Sequence, residues 1–250
     1  MTAAFGTSMD FWSKEVRTNL LPMITDLLEQ AVNLRRLFLP QAAHLLAECP
    51  RLRLSFARLT KLEELTLEHG GNESVASLCQ VHCGLQHLNL SGRWYEDQIS
   101  GGELFAAMGH FANLHTLILT NVEESGGVVR AALARQQWPT VRNLRLFRCN
   151  DPLPVFAHAF PNVRSLYVWM MGLRPHRSET CWAELDYVNG TPRDLKLWLR
   201  TCPVRHLELD TTLDNADMDD YVDSVAVLLS LKPVFLTLSV ERTFNRVLVV

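Results

Sequence analysis

Two short stretches carry side chains whose types and spacing could do chemistry, and two glycine pairs could lie against a phosphate. Cys79-x-x-His82-Cys83 offers three ligands of the kind zinc prefers. A structural zinc site closes with four, and no second pair stands at a defined distance. Cys79 is therefore assigned to a helix core and Cys83 to an ordinary free thiol, and no metal is expected. Asp214–Asp220 (DNADMDD) is acidic enough for calcium. It lacks the glycine at position 6 and the glutamate at position 12 of an EF-hand loop, so an acidic turn leading into a helix explains it better. Gly70-Gly71 and Gly126-Gly127 lack the lysine or glycine spacing of a phosphate-binding loop or dinucleotide fingerprint. No Gly-x-Ser-x-Gly elbow and no supported Cys–His pair occurs. No catalytic or cofactor-binding residue is assigned and an enzyme is not expected; an enzyme with an unrecognised site stays the least favoured of the alternatives.

The chemistry that remains is recognition. Ile118, Arg145, Phe147, Tyr167 and Trp169, followed by His206 and Glu208, are residues of the kind that dominate protein contacts, since aromatic and arginine side chains bury much area at modest entropic cost. They lie far apart in the chain. Only an element that repeats at fixed spacing could gather them, and the sequence has one.

The pattern Leu-x-x-Leu-x-Leu recurs as Leu34-Leu37-Leu39, Leu62-Leu65-Leu67, Leu85-Leu88-Leu90 and Leu114-Leu117-Leu119. It continues as Val141-Leu144-Leu146, Val163-Leu166-Val168 and Val204-Leu207-Leu209. From Leu34 to Val163 the copies start 28, 23, 29, 27 and 22 residues apart. The step from Val163 to Val204 is 41, about two repeats, and Trp182–Val188 (WAELDYV) fits a degenerate copy built on Leu185. Phe235–Val240 fits a last copy of open register. In an extended segment the fourth and sixth positions face one way, and stacking buries them in a continuous core. Helices are expected between the strands, over Met23–Ala31, Ala42–Glu48, Ser74–Val81, Gly102–Met108, Val128–Gln137 and Met218–Leu231. Pro139, Pro161 and Pro203 stop the chain before strands. Asn121, and Cys149 or Asn150, stand where a side chain could bond turn backbone.

This alternation predicts an α/β fold, one repeat domain over 1–250 with about eight to nine repeats, its first 33 residues a helical cap. Strands form a parallel sheet on the inside of a horseshoe, and helices cover the convex face. The residues between the buried positions then line the concave surface. The middle row reads Phe38, Thr66, Asn89, Ile118, Arg145, Tyr167 and Glu208. Neighbouring strands about 4.8 Å apart would make one patch of Ile118, Arg145, Phe147, Tyr167 and Trp169, with His206 and Glu208 beside it. The competing reading has Phe147 and Trp169 packing under a loop or against each other, and Glu208 and Asp210 simply solvated.

Composition narrows the partners. Apolar residues make up 48% and charged residues 20%, which argues against disorder. With 24 basic against 27 acidic residues, the net charge of −3 gives no basic excess for nucleic acid. The longest apolar stretches, such as Val225–Leu231, fall short of a membrane span. Six cysteines without a CxxC pair read as free thiols of the cytoplasm or nucleus. A protein partner on the concave face is expected.

Repeat length and motif resemble the leucine-rich repeats of ribonuclease inhibitor and F-box proteins. Trp182-Ala-Glu-Leu185-Asp-Tyr-Val188, Leu195-Lys-Leu-Trp198 and Cys202-Pro-Val-Arg-His-Leu207-Glu-Leu209 resemble, more specifically, the F-box-like leucine-rich-repeat proteins of mushroom-forming fungi. That resemblance implies a substrate receptor whose F-box docks on a ubiquitin-ligase scaffold while the repeats hold the target. The F-box itself is not found. Leu21-Pro22 is its only candidate opening, and the first repeat strand already begins at Leu34, which leaves no room for three packed helices. An F-box lies upstream in a longer product, or the chain is a scaffold or inhibitor without a ligase role. The apolar tail Arg246–Val250 either finishes the sheet edge or exposes a strand.

Overall fold

The computed structural model describes residues 2–4, 14–92, 99–123, 136–150, 153–171, 182–196, 202–212 and 218–241. Its strands are β1 (Thr2–Ala4), β2 (Arg36–Leu39), β3 (Glu64–Leu67), β4 (His87–Ser91), β5 (Ile99–Ser100), β6 (Thr116–Thr120), β7 (Val122–Glu123), β8 (Asn143–Phe147), β9 (Ser165–Trp169), β10 (Leu185–Gly190), β11 (Val204–Thr212) and β12 (Phe235–Glu241). Its α-helices are α1 (Lys14–Gln30), α2 (Ala42–Glu48), α3 (Pro50–Ser55), α4 (Gly71–Leu78), α5 (Gly101–Met108), α6 (Leu153–Ala159), α7 (Pro192–Lys196) and α8 (Met218–Leu231). Ten strands form one sheet in the order β1-β2-β3-β4-β6-β8-β9-β10-β11-β12. Every pairing in it is parallel. β5 and β7 make a separate two-stranded pair. The molecule is α/β, and from β2 onward each strand of the large sheet lies beside the next copy of the same sequence pattern.

The pattern sets the register. Leu37, Leu65, Leu88, Leu117, Leu144, Leu166, Val188 and Leu207 stand side by side across the sheet, and all are buried. Slipping any strand by one residue would turn this whole row to the other face, so the apolar row holds the alignment. The backbone repeats with it. Arg35, Glu63, Gln86, His115, Arg142 and Arg164 each offer a carbonyl that accepts two successive N–H groups from the next strand's entry. At strand exits, Gln41, His69, Asn121, Arg148 and Met170 adopt left-handed φ of 52°, 52°, 62°, 52° and 53°. That conformation costs a non-glycine residue roughly 1–2 kcal/mol, so the packed repeats on both sides must hold it.

Two exit residues have further duties. The Cys149 thiol is buried and reaches the Leu119 and Phe147 carbonyls at 3.7 and 3.6 Å, a side chain bonding turn backbone as its place in the repeat suggested. Asn121 is buried, and its carbonyl accepts the Ile99 N–H.

The expected helices Ala42–Glu48 and Met218–Leu231 have those bounds, while the one expected over Met23–Ala31 is the end of a longer helix, Lys14–Gln30, that carries Pro22 inside it and stops one residue before Ala31. The region 1–33 is not helical throughout, because β1 adds a strand beside β2. The helix expected over Ser74–Val81 begins at Gly71 and ends at Leu78. In that frame Val75 and Leu78 turn inward and Cys79 is exposed at the helix end, which corrects its assignment to a core. Val128–Gln137 lies almost wholly outside the described residues. The sequence pattern gives no signal for helices α3, α6 and α7, because α3 opens at Pro50, α6 carries Pro154 and α7 is only five residues long.

β10 shows how the degenerate copy fits. Leu185 pairs with Val204, and Val188 lies between Leu166 and Leu207, which makes Gly190 the sixth position of the motif. A Cβ on Gly190 would sit 2.8 Å from the Val168 carbonyl oxygen and 2.9 Å from Val168 Cγ2. Leu195 of α7 lies 3.2 Å away and fills the space a leucine would take. Gly190→Ala is therefore expected to destabilise the protein by about 1–3 kcal/mol through overpacking against backbone. Urea unfolding checks this; an unchanged midpoint would mean that the strand yields without cost.

Candidate protein-binding face

The face of the sheet opposite the leucine row carries the residues that the sequence singles out as contact candidates. Its middle row runs Phe38, Thr66, Asn89, Ile118, Arg145, Tyr167, Asn189, Glu208 and Thr237 in continuous register. The row toward the strand starts runs Thr116, Asn143, Ser165, Tyr187, His206 and Phe235. Thr120, Phe147 and Trp169 stand side by side on the row toward the strand ends.

These rows bring the sequence-selected residues together. The Arg145 guanidinium lies 4.3 Å from the centre of the Tyr167 ring, a cation–π stack. Among the described residues no carboxylate pairs with Arg145, whose side chain is exposed. Tyr167 meets Tyr187 with ring centres 5.1 Å apart, Tyr187 meets His206 edge-on at 5.2 Å, and His206 meets Phe235 at 6.2 Å. Phe147 and Trp169 pack against each other edge-on at 6.3 Å, as the competing reading held, yet Trp169 stays 47% exposed. Ile118 is half-buried between Asn89 and Arg145. Glu208 is not merely solvated, since its Oε2 accepts a 2.5 Å hydrogen bond from the Tyr187 hydroxyl. His206 Nε2 lies 2.9 Å from Thr237 Oγ1.

Tyr187 was not picked out from the sequence. WAELDYV reads as a degenerate copy built on Leu185, but the sequence leaves its first position open, so no residue of it is given a face. Counting Leu185 as the first position places Tyr187 in the row of His206, and that alone would have found it. Its phenol is pushed up from the ordinary tyrosine range, first by desolvation and then by its hydrogen bond to the Glu208 carboxylate, which ionisation would break. A folded-state value above the unfolded one adds stability that is intact below pH 10 and is lost as pH rises beyond it. Between pH 9 and 11 the wild type should lose more stability than Tyr187→Phe, which has no proton there to lose. Urea unfolding at both pH values measures the difference, and equal losses would contradict the shift.

Two other ionisable groups among the described residues are shifted by burial, Asp194 and Cys83. Asp194 is buried and its carboxyl is raised above the usual range by desolvation, but it spends its oxygens on backbone N–H groups. Burial pushes the Cys83 thiol up to about 11, which leaves it protonated and a poor nucleophile at neutral pH. His82 and His110 have ring centres 5.7 Å apart, and His110 Nε2 bonds the Val81 carbonyl. Among the described residues no three His, Cys, Asp or Glu side chains converge as metal ligands. Asp214–Asp217 and Gly126-Gly127 lie outside the described residues. No helix among the described residues is long and apolar enough to cross a membrane.

Comparison with protein-family models finds no match to the chain, and no curated protein matches it.

Proposed function

We propose that the chain is a leucine-rich-repeat solenoid of the ribonuclease-inhibitor and F-box type, curved with its sheet inside, that holds a protein partner on the exposed face of that sheet. In its most specific form this is the substrate-recognising part of an F-box-like ubiquitin-ligase adaptor, working in the cytoplasm or nucleus. The observation that carries the reading is the unbroken stack from Arg145 through Tyr167 and Tyr187 to His206, with Trp169 exposed beside it. Such a stack is rigid before a partner arrives, so little side-chain entropy is lost on contact. It sets large apolar faces beside an arginine without a carboxylate partner among the described residues, the composition of binding hot spots. An open sheet face suits a macromolecule better than a small molecule, which needs a concave pocket around it.

Affinity purification with mass spectrometry from native cells tests this, comparing wild type with Tyr167→Ala/Trp169→Ala. A specific protein is expected to be recovered by the wild type and lost by the variant. With a purified partner, each truncation should weaken binding by about 2 kcal/mol or more, roughly thirty-fold in Kd. Ligase scaffold subunits in the same eluate would support the adaptor form, and a partner without them would leave a standalone scaffold or inhibitor. A folded variant that keeps every partner would reject the aromatic stack as the contact.

A further inference from the structure

The C-terminal edge of the sheet is built differently from the N-terminal one. β1 is three residues long, a short edge of the kind that resists pairing. β12 is seven residues long, is last in the sheet order and pairs with β11 on one side. Edge strands are usually blunted by lysine, proline or a bulge, yet Phe-Leu-Thr-Leu-Ser-Val-Glu carries one charge, at its end. Leu236 and Leu238 continue the rows of the buried Leu207 and Leu209, but are 45% and 57% exposed. Of the thirteen exposed large apolar side chains among the described residues, seven fall between Val222 and Leu238, so exposure is concentrated in this last unit. Val222, Val225 and Leu229 make a stripe at i, i+3 and i+7 along α8. A monomer rarely leaves so much contiguous apolar surface in water.

We propose that this edge is a twofold interface, at which β12 pairs antiparallel with β12 of a second copy of the chain, the axis passing at Leu238. The order of residue types supports a self-pairing. Around Leu238 the strand reads alike in both directions, with Thr237 and Ser239 one step away and Leu236 and Val240 two steps away. A twofold axis there sets apolar position against apolar, hydroxyl against hydroxyl, and Leu238 against its own copy, the complementarity an isologous contact requires. It also sets Glu241 opposite Phe235, so the two acids do not face each other. Shifting the axis by half a residue would oppose Leu238 to Ser239 and lose the match. A stable interface of standard size removes at least about 1,200 Å² from water, and the exposed apolar side chains of both terminal units are the surface this pairing would draw on. A head-to-tail contact would use β1 instead, whose three residues offer a much shorter ladder.

Sedimentation velocity on the 250-residue protein and its Leu238→Arg variant tests the proposal. Because Leu238 is half-exposed, the arginine should leave far-UV circular dichroism unchanged. The wild type is expected at twice 28.4 kDa and the variant at 28.4 kDa. Mild oxidation of Leu238→Cys should yield a reducible dimer beyond the wild-type background, because residues opposite each other on the axis have Cβ atoms about 4.5–5.5 Å apart. Leu236→Cys should crosslink poorly, since it opposes position 240. A wild type that stays monomeric at every concentration overturns the proposal, as do open-ended oligomers that Leu238→Arg leaves intact. A monomer in which Leu238→Cys resists thiol labelling overturns it as well, by showing the chain itself over this edge.

Discussion

Trp182→Ala is expected to lower the unfolding free energy by about 3–5 kcal/mol, the range for deleting a large aromatic from a packed core. Trp182 is fully buried and stands three residues before the first position of the β10 repeat. Phe111, Trp138 and Phe160 hold the same place before Leu114, Val141 and Val163, and all are buried. Phe105, Trp138 and Phe160 meet one another with ring centres 5.5–6.0 Å apart, so this row knits neighbouring repeats on the helical side of the sheet. Each tryptophan also bonds backward: Trp138 Nε1 donates to the Met108 carbonyl at 3.0 Å and Trp182 Nε1 to the Phe160 carbonyl at 2.7 Å. Trp182→Phe separates the two contributions. It keeps most of the ring volume but leaves the Phe160 carbonyl, among the described residues, with only the long 3.4 Å contact from the Val163 N–H, a loss of about 1–3 kcal/mol. Chemical unfolding of both variants checks the order, and an alanine variant within about 1 kcal/mol of wild type would show the row to be dispensable.

These tryptophans mark the limit of what the repeat pattern reveals. Leucines at the first, fourth and sixth positions are legible because they recur at fixed spacing and one face must be buried. The place three residues earlier holds Phe111, Trp138, Phe160 and Trp182 but His82 before Leu85 and Thr201 before Val204. Variation there hides a constant location, since volume rather than residue type is what the gap between repeats demands. The outward face was legible where strands were certain, so Ile118, Arg145, Phe147, Tyr167 and Trp169 fell on neighbouring strands as expected. It failed at Tyr187, where glycine replaces the sixth leucine and the copy loses its end marker. The strand exits were hidden for a different reason. Left-handed φ at Gln41, His69, Arg148 and Met170 leaves no trace in residue type, because surrounding repeats impose it on residues that do not favour it.

Asp194→Ala is the second large effect expected, at about 2–5 kcal/mol, and it acts through one such exit. The Asp194 carboxylate accepts the Met170 N–H at 2.9 Å, the Met171 N–H at 3.1 Å and the Thr191 hydroxyl at 2.9 Å. Thr191 Oγ1 in turn accepts the Asp194 N–H at 3.2 Å, a reciprocal cap at the start of α7. Thr191-x-x-Asp194 is readable as a capping pair from sequence, but nothing in the sequence shows that the acid also holds a strand exit more than twenty residues away. Alanine strands the buried Met171 N–H, at about 1–3 kcal/mol, and the part-buried Met170 N–H, at less, while Met170 is still asked to keep its left-handed turn. Asp194→Asn should cost less, because its carbonyl can still serve one N–H although its amide group opposes the other. Acid pH separates these from a general loss of packing. Desolvation, only partly offset by the hydrogen bonds, lifts the folded-state carboxyl above its ordinary value of 3.8, so the folded form takes up the proton more readily. This contribution is whole below pH 3.8 and is lost as pH rises through the folded value. The stability gap between wild type and Asp194→Asn should therefore be widest in acid and narrow toward neutrality, as urea unfolding from pH 3 to 7 can follow. A gap that widens toward neutral pH would mean that the backbone N–H groups outweigh desolvation and that Asp194 is held below 3.8.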